Sequence, residues 1–144
     1  MRMLIADDEP THLFLLEMFL KKWGYEVLSA DNGGEAFRIL CVENSPRMAI
    51  LDWQLPGMNG IEICRTLRRS KERSYTYILL LSARAQKADI LNGMASGADD
   101  YLTKPYHPED LKEKLLTARK AVESADIPLF GEAVPGNAAI VYVR

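Results

Sequence analysis

Short apolar runs that break off at polar residues recur along this chain, and segments of helical spacing separate them. Met1 to Ala6 reads as a strand and stops at Asp7-Asp8-Glu9. Tyr25 to Ala30 is a second. Met48-Ala49-Ile50-Leu51-Asp52 is a third, followed by the turn-rich Trp53-Gln54-Leu55-Pro56-Gly57-Met58-Asn59-Gly60. Tyr77 to Leu81 ends in Ser82-Ala83, and Asp99 to Thr103 ends in Lys104-Pro105. Continuous apolar runs bounded by turn residues fit strands buried on both faces.

The segments between them predict helices. Pro10 suits a first helical turn, where its missing N–H costs nothing, and the helix runs to about Trp23 before Gly24 stops it. Leu13, Leu16, Leu20 and Trp23 form the stripe expected to face a sheet. Phe14, Leu15, Met18 and Phe19 leave few polar positions opposite, so this helix is either unusually buried or offers an apolar patch to a partner. Gly33-Gly34 lead into a second helix through Cys41, and a third spans Gly60 to about Arg69 with Ile61, Cys64 and Leu67 on one face. Gln86 to Ser96 has helical spacing in Ala88, Leu91, Met94 and Ala95. Gly93 inside it costs about 1 kcal/mol relative to alanine, which makes it the least stable helix of the set. Pro108 opens the last helix, with Leu111, Leu115, Ala118 and Val122 as its stripe. Strands alternating with helices in this way indicate βαβ units and a parallel sheet in an α/β fold. Residues 1–122 form that unit. Residues 123–144 are a turn-rich tail in which Ala139 to Val143 is apolar enough for a strand. The sequence leaves the tail open among an added edge element, a partner-binding arm and the start of a further domain.

Composition changes this picture little. The 144 residues suit one domain with a short appendage, and 48% hydrophobic residues are ample for a core. A formal charge of -2 gives no electrostatic reason for direct contact with nucleic acid or an anionic membrane. Apolar runs such as Leu13 to Leu16 are far short of a membrane span, and the opening residues do not make a signal peptide. A cytoplasmic location is therefore expected. Cys41 and Cys64 both fall in apolar stretches and read as core packing. His12 and His107, as lone histidines, read as surface residues.

The chemistry lies at the strand ends. A parallel sheet delivers the ends of its first, third, fourth and fifth strands to one edge, where open α/β sheets bind ligands. That edge would collect Asp7, Asp8, Asp52, Ser82 and Lys104. Two unit charges about 4 Å apart cost roughly 4 kcal/mol at an effective dielectric near 20, so three carboxylates there need protons or a cation. A hard divalent ion held by oxygens, Mg²⁺, answers that need. Beside it, Lys104 and Ser82 would meet the oxygens of a phosphoryl group, and Asp52 would be the nucleophile that forms an aspartyl phosphate.

The set Asp7-Asp8, Asp52, Ser82 and Lys104-Pro105 resembles the receiver domain of two-component response regulators. Intervals of 44 residues from Asp8 to Asp52, 30 to Ser82 and 22 to Lys104 are similar to those of a typical receiver. So are the Leu55-Pro56-Gly57-Met58-Asn59-Gly60 loop and the Gly97-Ala98-Asp99-Asp100-Tyr101-Leu102-Thr103-Lys104-Pro105 signature. The resemblance implies a flavodoxin-like doubly wound sheet of five parallel strands, order 2-1-3-4-5, with five helices. It implies that Asp52 accepts a phosphoryl group from a sensor histidine kinase or a histidine phosphotransfer protein. Asp8, Asp52 and the Gln54 backbone carbonyl would contact Mg²⁺, and Asp7 would act mainly through water. Ser82 and Lys104 would bind the phosphoryl oxygens. Ser82 and Tyr101 would form the switch, and Lys104-Pro105 would be a cis peptide. The face formed by the fourth helix, fifth strand and fifth helix would carry the change to a downstream protein or output domain, and would be the surface for any homodimer.

Gln54 and Arg84 flank the expected route for attacking water and would tune dephosphorylation. Trp53 would either shield the site at its rim or pack in the core. Phe14 and Met18 would dock the kinase. Two readings from other classes remain. A phosphohydrolase with an aspartyl-phosphate intermediate would carry a second acid two residues after the nucleophile, where Gln54 stands. A pseudo-receiver that serves only as an interaction module would lack an acid, the serine or the lysine, and none is missing.

Overall fold

The computed structural model describes residues 1–70 and 75–125. Its elements, in chain order, are β1 (Arg2–Ala6), α1 (Pro10–Lys22), β2 (Glu26–Ala30), α2 (Gly33–Cys41), β3 (Met48–Asp52), α3 (Gly60–Arg69), β4 (Tyr77–Ser82), α4 (Lys87–Ala95), β5 (Asp100–Thr103) and α5 (Pro108–Ala125). The strands form one sheet in the order β2-β1-β3-β4-β5, with every pairing parallel. This is the doubly wound, flavodoxin-like α/β fold expected from the sequence.

Strand alternation divides the core in two. Leu4, Ala49, Leu51, Ile78 and Leu80 point to the face covered by α2, α3 and α4. Met3, Ile5, Met48, Ile50, Leu79 and Leu81 point to the face covered by α1 and α5. All residues of β3 and β4 are buried, as their uninterrupted apolar runs require. The stripes expected on α1, α3 and α5 face the sheet: Leu16 and Leu20, then Ile61, Cys64 and Leu67, then Leu111, Leu115, Ala118 and Val122.

Helix ends follow their local chemistry. Glu9 caps α1 by accepting from the N–H groups of Thr11 and His12 at 3.2 and 2.7 Å. Gly24, at φ +93°, occupies the left-handed position that ends it. Asn59 and Glu62 form a reciprocal capping box on α3.

The helices bring one correction, at Cys41, and two additions to the sequence reading. On α4, Leu91 and Met94 are 60% and 39% exposed, and the residue that meets the sheet is Gly93. Gly93 and the partly buried Ile90 lie on the side toward the core, and Leu91 and Met94 point away from it. Cys41 is exposed because it is the last residue of α2, and Leu40 takes the buried place before it. Helix α5 continues through Ala125, beyond Val122, the last residue of its expected stripe. The remainder of the tail, with the strand expected at Ala139 to Val143, lies outside the described residues.

The loop after β3 is pinned from the side. The N–H of Gly33 donates to the Pro56 carbonyl at 2.9 Å, and a Cβ on Gly33 would stand 1.5 Å from the Met58 carbonyl oxygen. Because that neighbour is backbone, it has no rotamer by which to yield. Gly33→Ala is therefore expected to lower stability by about 1–3 kcal/mol, read as a reduced midpoint in denaturant unfolding. An unchanged midpoint would show that the loop can retreat without cost.

Candidate functional site

The sheet register brings the strand ends to one place. Ala6 pairs with Leu51, Asp52 with Leu81, and Ser82 with Thr103. The ladder continues past the strands through Asp7 N–H to Ala30 O (3.1 Å), Trp53 N–H to Leu81 O (3.1 Å) and Lys104 N–H to Ser82 O (2.8 Å). Asp52 is also held from behind. Gly60 N–H donates to the Trp53 carbonyl at 2.9 Å, and a Cβ on Gly60 would come within 2.7 Å of the Asp52 carbonyl oxygen. Only glycine lets α3 start this close to the strand end.

Lys104 Nζ lies 2.7 Å from Asp52 Oδ2 and 3.3 Å from Asp7 Oδ2. Asp52 Oδ1 accepts from Gln54 N–H at 3.1 Å. Asp7, Asp8 and Asp52 each offer a carboxylate oxygen within 4.8 Å of the others, with Asp7 and Asp52 buried and Asp8 exposed. Burial raises the Asp52 carboxyl above its ordinary range, and Lys104 offsets only part of that rise. Burial also pushes Asp7 upward, but the His12 hydrogen bond, the Glu9 N–H and the Lys104 charge hold it below the usual carboxylate value. For Lys104, desolvation acts downward and is outweighed by the two carboxylates, so the ammonium is retained.

The donor set is all carboxylate oxygen with one member at the rim, where water can complete a coordination shell. It fits a hard divalent cation such as Mg²⁺. Next to it, Asp52, Gln54, Ser82, Ala83, Arg84 and Lys104 line a cavity of about 220 Å³. Ser82 Oγ accepts from Arg84 N–H at 3.0 Å and also interacts with the Tyr101 hydroxyl, so the serine stands between the cavity and that ring.

The residues expected around this core fall into a linked group. Trp53 is buried, with Tyr101 edge-on to it at 6.2 Å and the Arg84 guanidinium over its ring at 4.9 Å. Trp53 is thus both core and rim. Arg84 Nη1 reaches Asp89 at 3.7 Å, and Gln54 is exposed at the mouth. Tyr101 is turned inward and donates its hydroxyl to the Arg84 carbonyl at 2.8 Å. Lys104-Pro105 is cis. Phe14 and Met18 stand away from the pocket on the outer side of α1, 62% and 51% exposed.

Two residues at the site had no signal of their own in the sequence. His12 was expected on the surface, but its Nδ1 bonds Asp7 Oδ2 and its Nε2 lies 2.7 Å from the Tyr106 hydroxyl. The start of α1 at Pro10 is what turns His12 back over Asp7, and the hint was only that helix start. Tyr106 follows the cis proline, and burial beside Asp7 pushes its hydroxyl up to about 12. His107 is exposed, as expected.

Comparison with known proteins gives a consistent answer. A family model described as the response regulator receiver domain matches residues 3–116. The chain is 38% identical over 112 residues to the phosphate regulon transcriptional regulatory protein PhoB of Pseudomonas aeruginosa, covering 78% of this chain and 48% of PhoB. It thus spans about half the length of the PhoB relatives it matches. It is 37% identical over 110 residues to protein PilH of Pseudomonas aeruginosa, covering 76% of this chain and 90% of PilH. Among solved structures, the receiver domain of a Pseudomonas aeruginosa sensor histidine kinase, with a magnesium ion coordinated in its active-site cleft, aligns at a TM-score of 0.73. The two are 25% identical, over 85% of this chain and 98% of that one.

Gly93 explains how Tyr101 fits. A Cβ there would stand 2.9 Å from two ring carbons of Tyr101 and 3.1 Å from Leu80. Gly93→Ala should cost about 1–3 kcal/mol in the native background. With Tyr101→Ala the ring is gone, and the same change should be neutral or stabilising by up to about 1 kcal/mol through helix propensity. Equal costs in both backgrounds, measured by denaturant unfolding, would rule out this coupling.

Proposed function

Since the chain belongs to the response regulator receiver family, we propose that it is a phosphoacceptor switch of a two-component system in which Asp52 is the phosphorylated residue. The observation that carries this reading is the shared position of Lys104 between Asp52 and Asp7, at the mouth of a cavity sized for a phosphoryl group. An Asp52 carboxylate oxygen bonds to the phosphorus of a phosphohistidine on a kinase or phosphotransfer protein. The P–N bond breaks, and its electron pair stays on the donor imidazole, which takes a proton from solvent. Lys104 turns its ammonium from the Asp52 carboxylate to the phosphoryl oxygens, and the Ser82 hydroxyl donates to another. Asp8, Asp52 and the Gln54 carbonyl, with Asp7 mainly through water, would hold Mg²⁺, which would supply charge neutralisation for the phosphoryl group.

The transmitted change is a population shift. Ser82, moving toward the phosphoryl group, loosens its hold on the Arg84 N–H, and Arg84 carries the carbonyl to which Tyr101 donates. Tyr101 already packs inward against Gly93, so the arrangement favoured by phosphorylation is accessible beforehand, as a pre-equilibrium requires. The exposed Leu91 and Met94 on α4 are the surface through which a downstream protein, an output domain or a second copy reads that shift. Gln54 and Arg84, at the mouth, set how easily water reaches the phosphoryl group.

Incubation with acetyl phosphate and Mg²⁺ should label the wild-type chain once, as read by intact-mass spectrometry, and chelation of the metal should abolish labelling. Asp52→Asn should remain unlabelled at that site. Stoichiometric labelling of the variant would sink the assignment of Asp52.

Leu15, Phe19, Pro105 and Tyr106 line an apolar groove of about 340 Å³ that reaches Lys104, and the exposed Phe14 and Met18 each precede a lining residue on α1. A phosphohistidine protein docked there would present its imidazole at the site. The double substitution Phe14→Glu with Met18→Glu should slow transfer from such a protein by at least about tenfold, the size of one lost interface hot spot. Labelling by acetyl phosphate should be retained, because the small donor needs no docking surface. Equal losses with both donors would place the defect in the site instead.

A further inference from the structure

His12 is fixed at both ring nitrogens. A carboxylate can only accept, so Nδ1 carries the hydrogen directed at Asp7 Oδ2. Nε2, 2.7 Å from the Tyr106 hydroxyl, then accepts the phenolic hydrogen. The rings meet edge-on at 5.7 Å and 67°, so the tyrosine braces the imidazole sterically as well. A chain of two hydrogen bonds runs from the segment after Lys104-Pro105, through the first turn of α1, to a carboxylate that is 1% exposed.

Every oxygen of Asp7 is therefore directed by a protein donor. Oδ1 accepts from Glu9 N–H at 2.9 Å, and Oδ2 accepts from His12 and, at 3.3 Å, from Lys104. Of the two donors on Oδ2, only His12 is committed to it. Lys104 lies closer to Asp52, and in the reading above it turns toward the phosphoryl group. Once it turns, Asp7 keeps its orientation only if the imidazole holds it.

We propose that His12 is a positioning residue for the divalent-cation site: it orients the Asp7 carboxylate, and Tyr106 holds it in place from behind. This rests on the cation-dependent reading of the site and deepens it. Donors behind a ligand carboxylate set its direction and basicity, and their loss typically lowers metal affinity by about 10- to 100-fold. The segment following Lys104-Pro105 is thereby tied to cation binding, although none of its side chains touches the cation.

Mg²⁺ titrations read the effect directly. The titrations follow Trp53 fluorescence in the full chain carrying Trp23→Phe, so that Trp53 is the only tryptophan reporting, and unfolding midpoints are measured in parallel. His12→Ala should weaken Mg²⁺ binding by about 10-fold or more. His12→Asn, whose amide N–H can take the place of Nδ1, should recover most of the affinity. Tyr106→Phe, which keeps the ring and removes only the hydroxyl, should weaken binding by about 2- to 10-fold and carries the test if His12→Ala does not fold. A wild-type Kd in folded His12→Ala, or in Tyr106→Phe where His12→Ala does not fold, overturns this inference alone. So does equal weakening in His12→Asn and His12→Ala. A wild-type chain that does not respond to Mg²⁺ overturns both this inference and the cation-dependent reading beneath it.

Discussion

One ammonium serves two buried carboxylates at the open edge of the sheet, and a third stands at the rim. Lys104 lies within 3.3 Å of both Asp7 and Asp52, and Asp8 brings its own charge to within ligand distance. Each unit pair at about 4 Å is worth roughly 4 kcal/mol at an effective dielectric near 20, so the cluster retains uncompensated negative charge. That imbalance is maintained by structure. Asp7 cannot turn away because three donors direct it, and Asp52 cannot because its backbone is trapped between the Leu81 carbonyl and the start of α3. The excess is the physical basis of the proposed affinity for a divalent cation and, with it, a phosphoryl group.

Holding charges in place requires close backbone approaches, and glycines mark them. Gly60 lets α3 begin against the Asp52 carbonyl, Gly33 lets α2 press on the Met58 carbonyl, and Gly93 makes room for the Tyr101 ring. The first two contacts meet backbone and make the site rigid. The third meets a side chain with its own rotamers, so the α4 side is where the structure can yield. Rigid placement near Asp52 and a yielding contact near Tyr101 are what a switch needs on its two sides.

Much of this was legible in the sequence because it depends on period and position. The apolar runs of β3 and β4 could only be buried strands, and the polar residue ending each run had to lie at the sheet edge. Residues whose role depends on three-dimensional approach were not legible. On α4 the helical spacing of Leu91 and Met94 did not say which side meets the sheet. The side facing the sheet is decided instead by Gly93, where a side chain would collide with Tyr101. Cys41 was misjudged because helix composition does not say where the last turn leaves the core. His12 carried no pattern at all. Its importance comes from Tyr106, 94 positions away in the chain.

The link from the pocket to the α4 face is short enough to follow atom by atom. Ser82 Oγ holds the Arg84 N–H, the Arg84 carbonyl holds the Tyr101 hydroxyl, and the Tyr101 ring rests on Gly93. The Arg84 side chain meanwhile lies over Trp53 and reaches Asp89 on α4. A displacement of Ser82 toward the cavity therefore acts on α4 through two routes from one residue, its backbone and its guanidinium. The guanidinium route also touches Trp53 beside β3, where Gly60 and the capping box of α3 hold the backbone closely. The contacts toward α4 are side chain on helix and those around β3 are backbone on backbone, an asymmetry that suits the proposed switch.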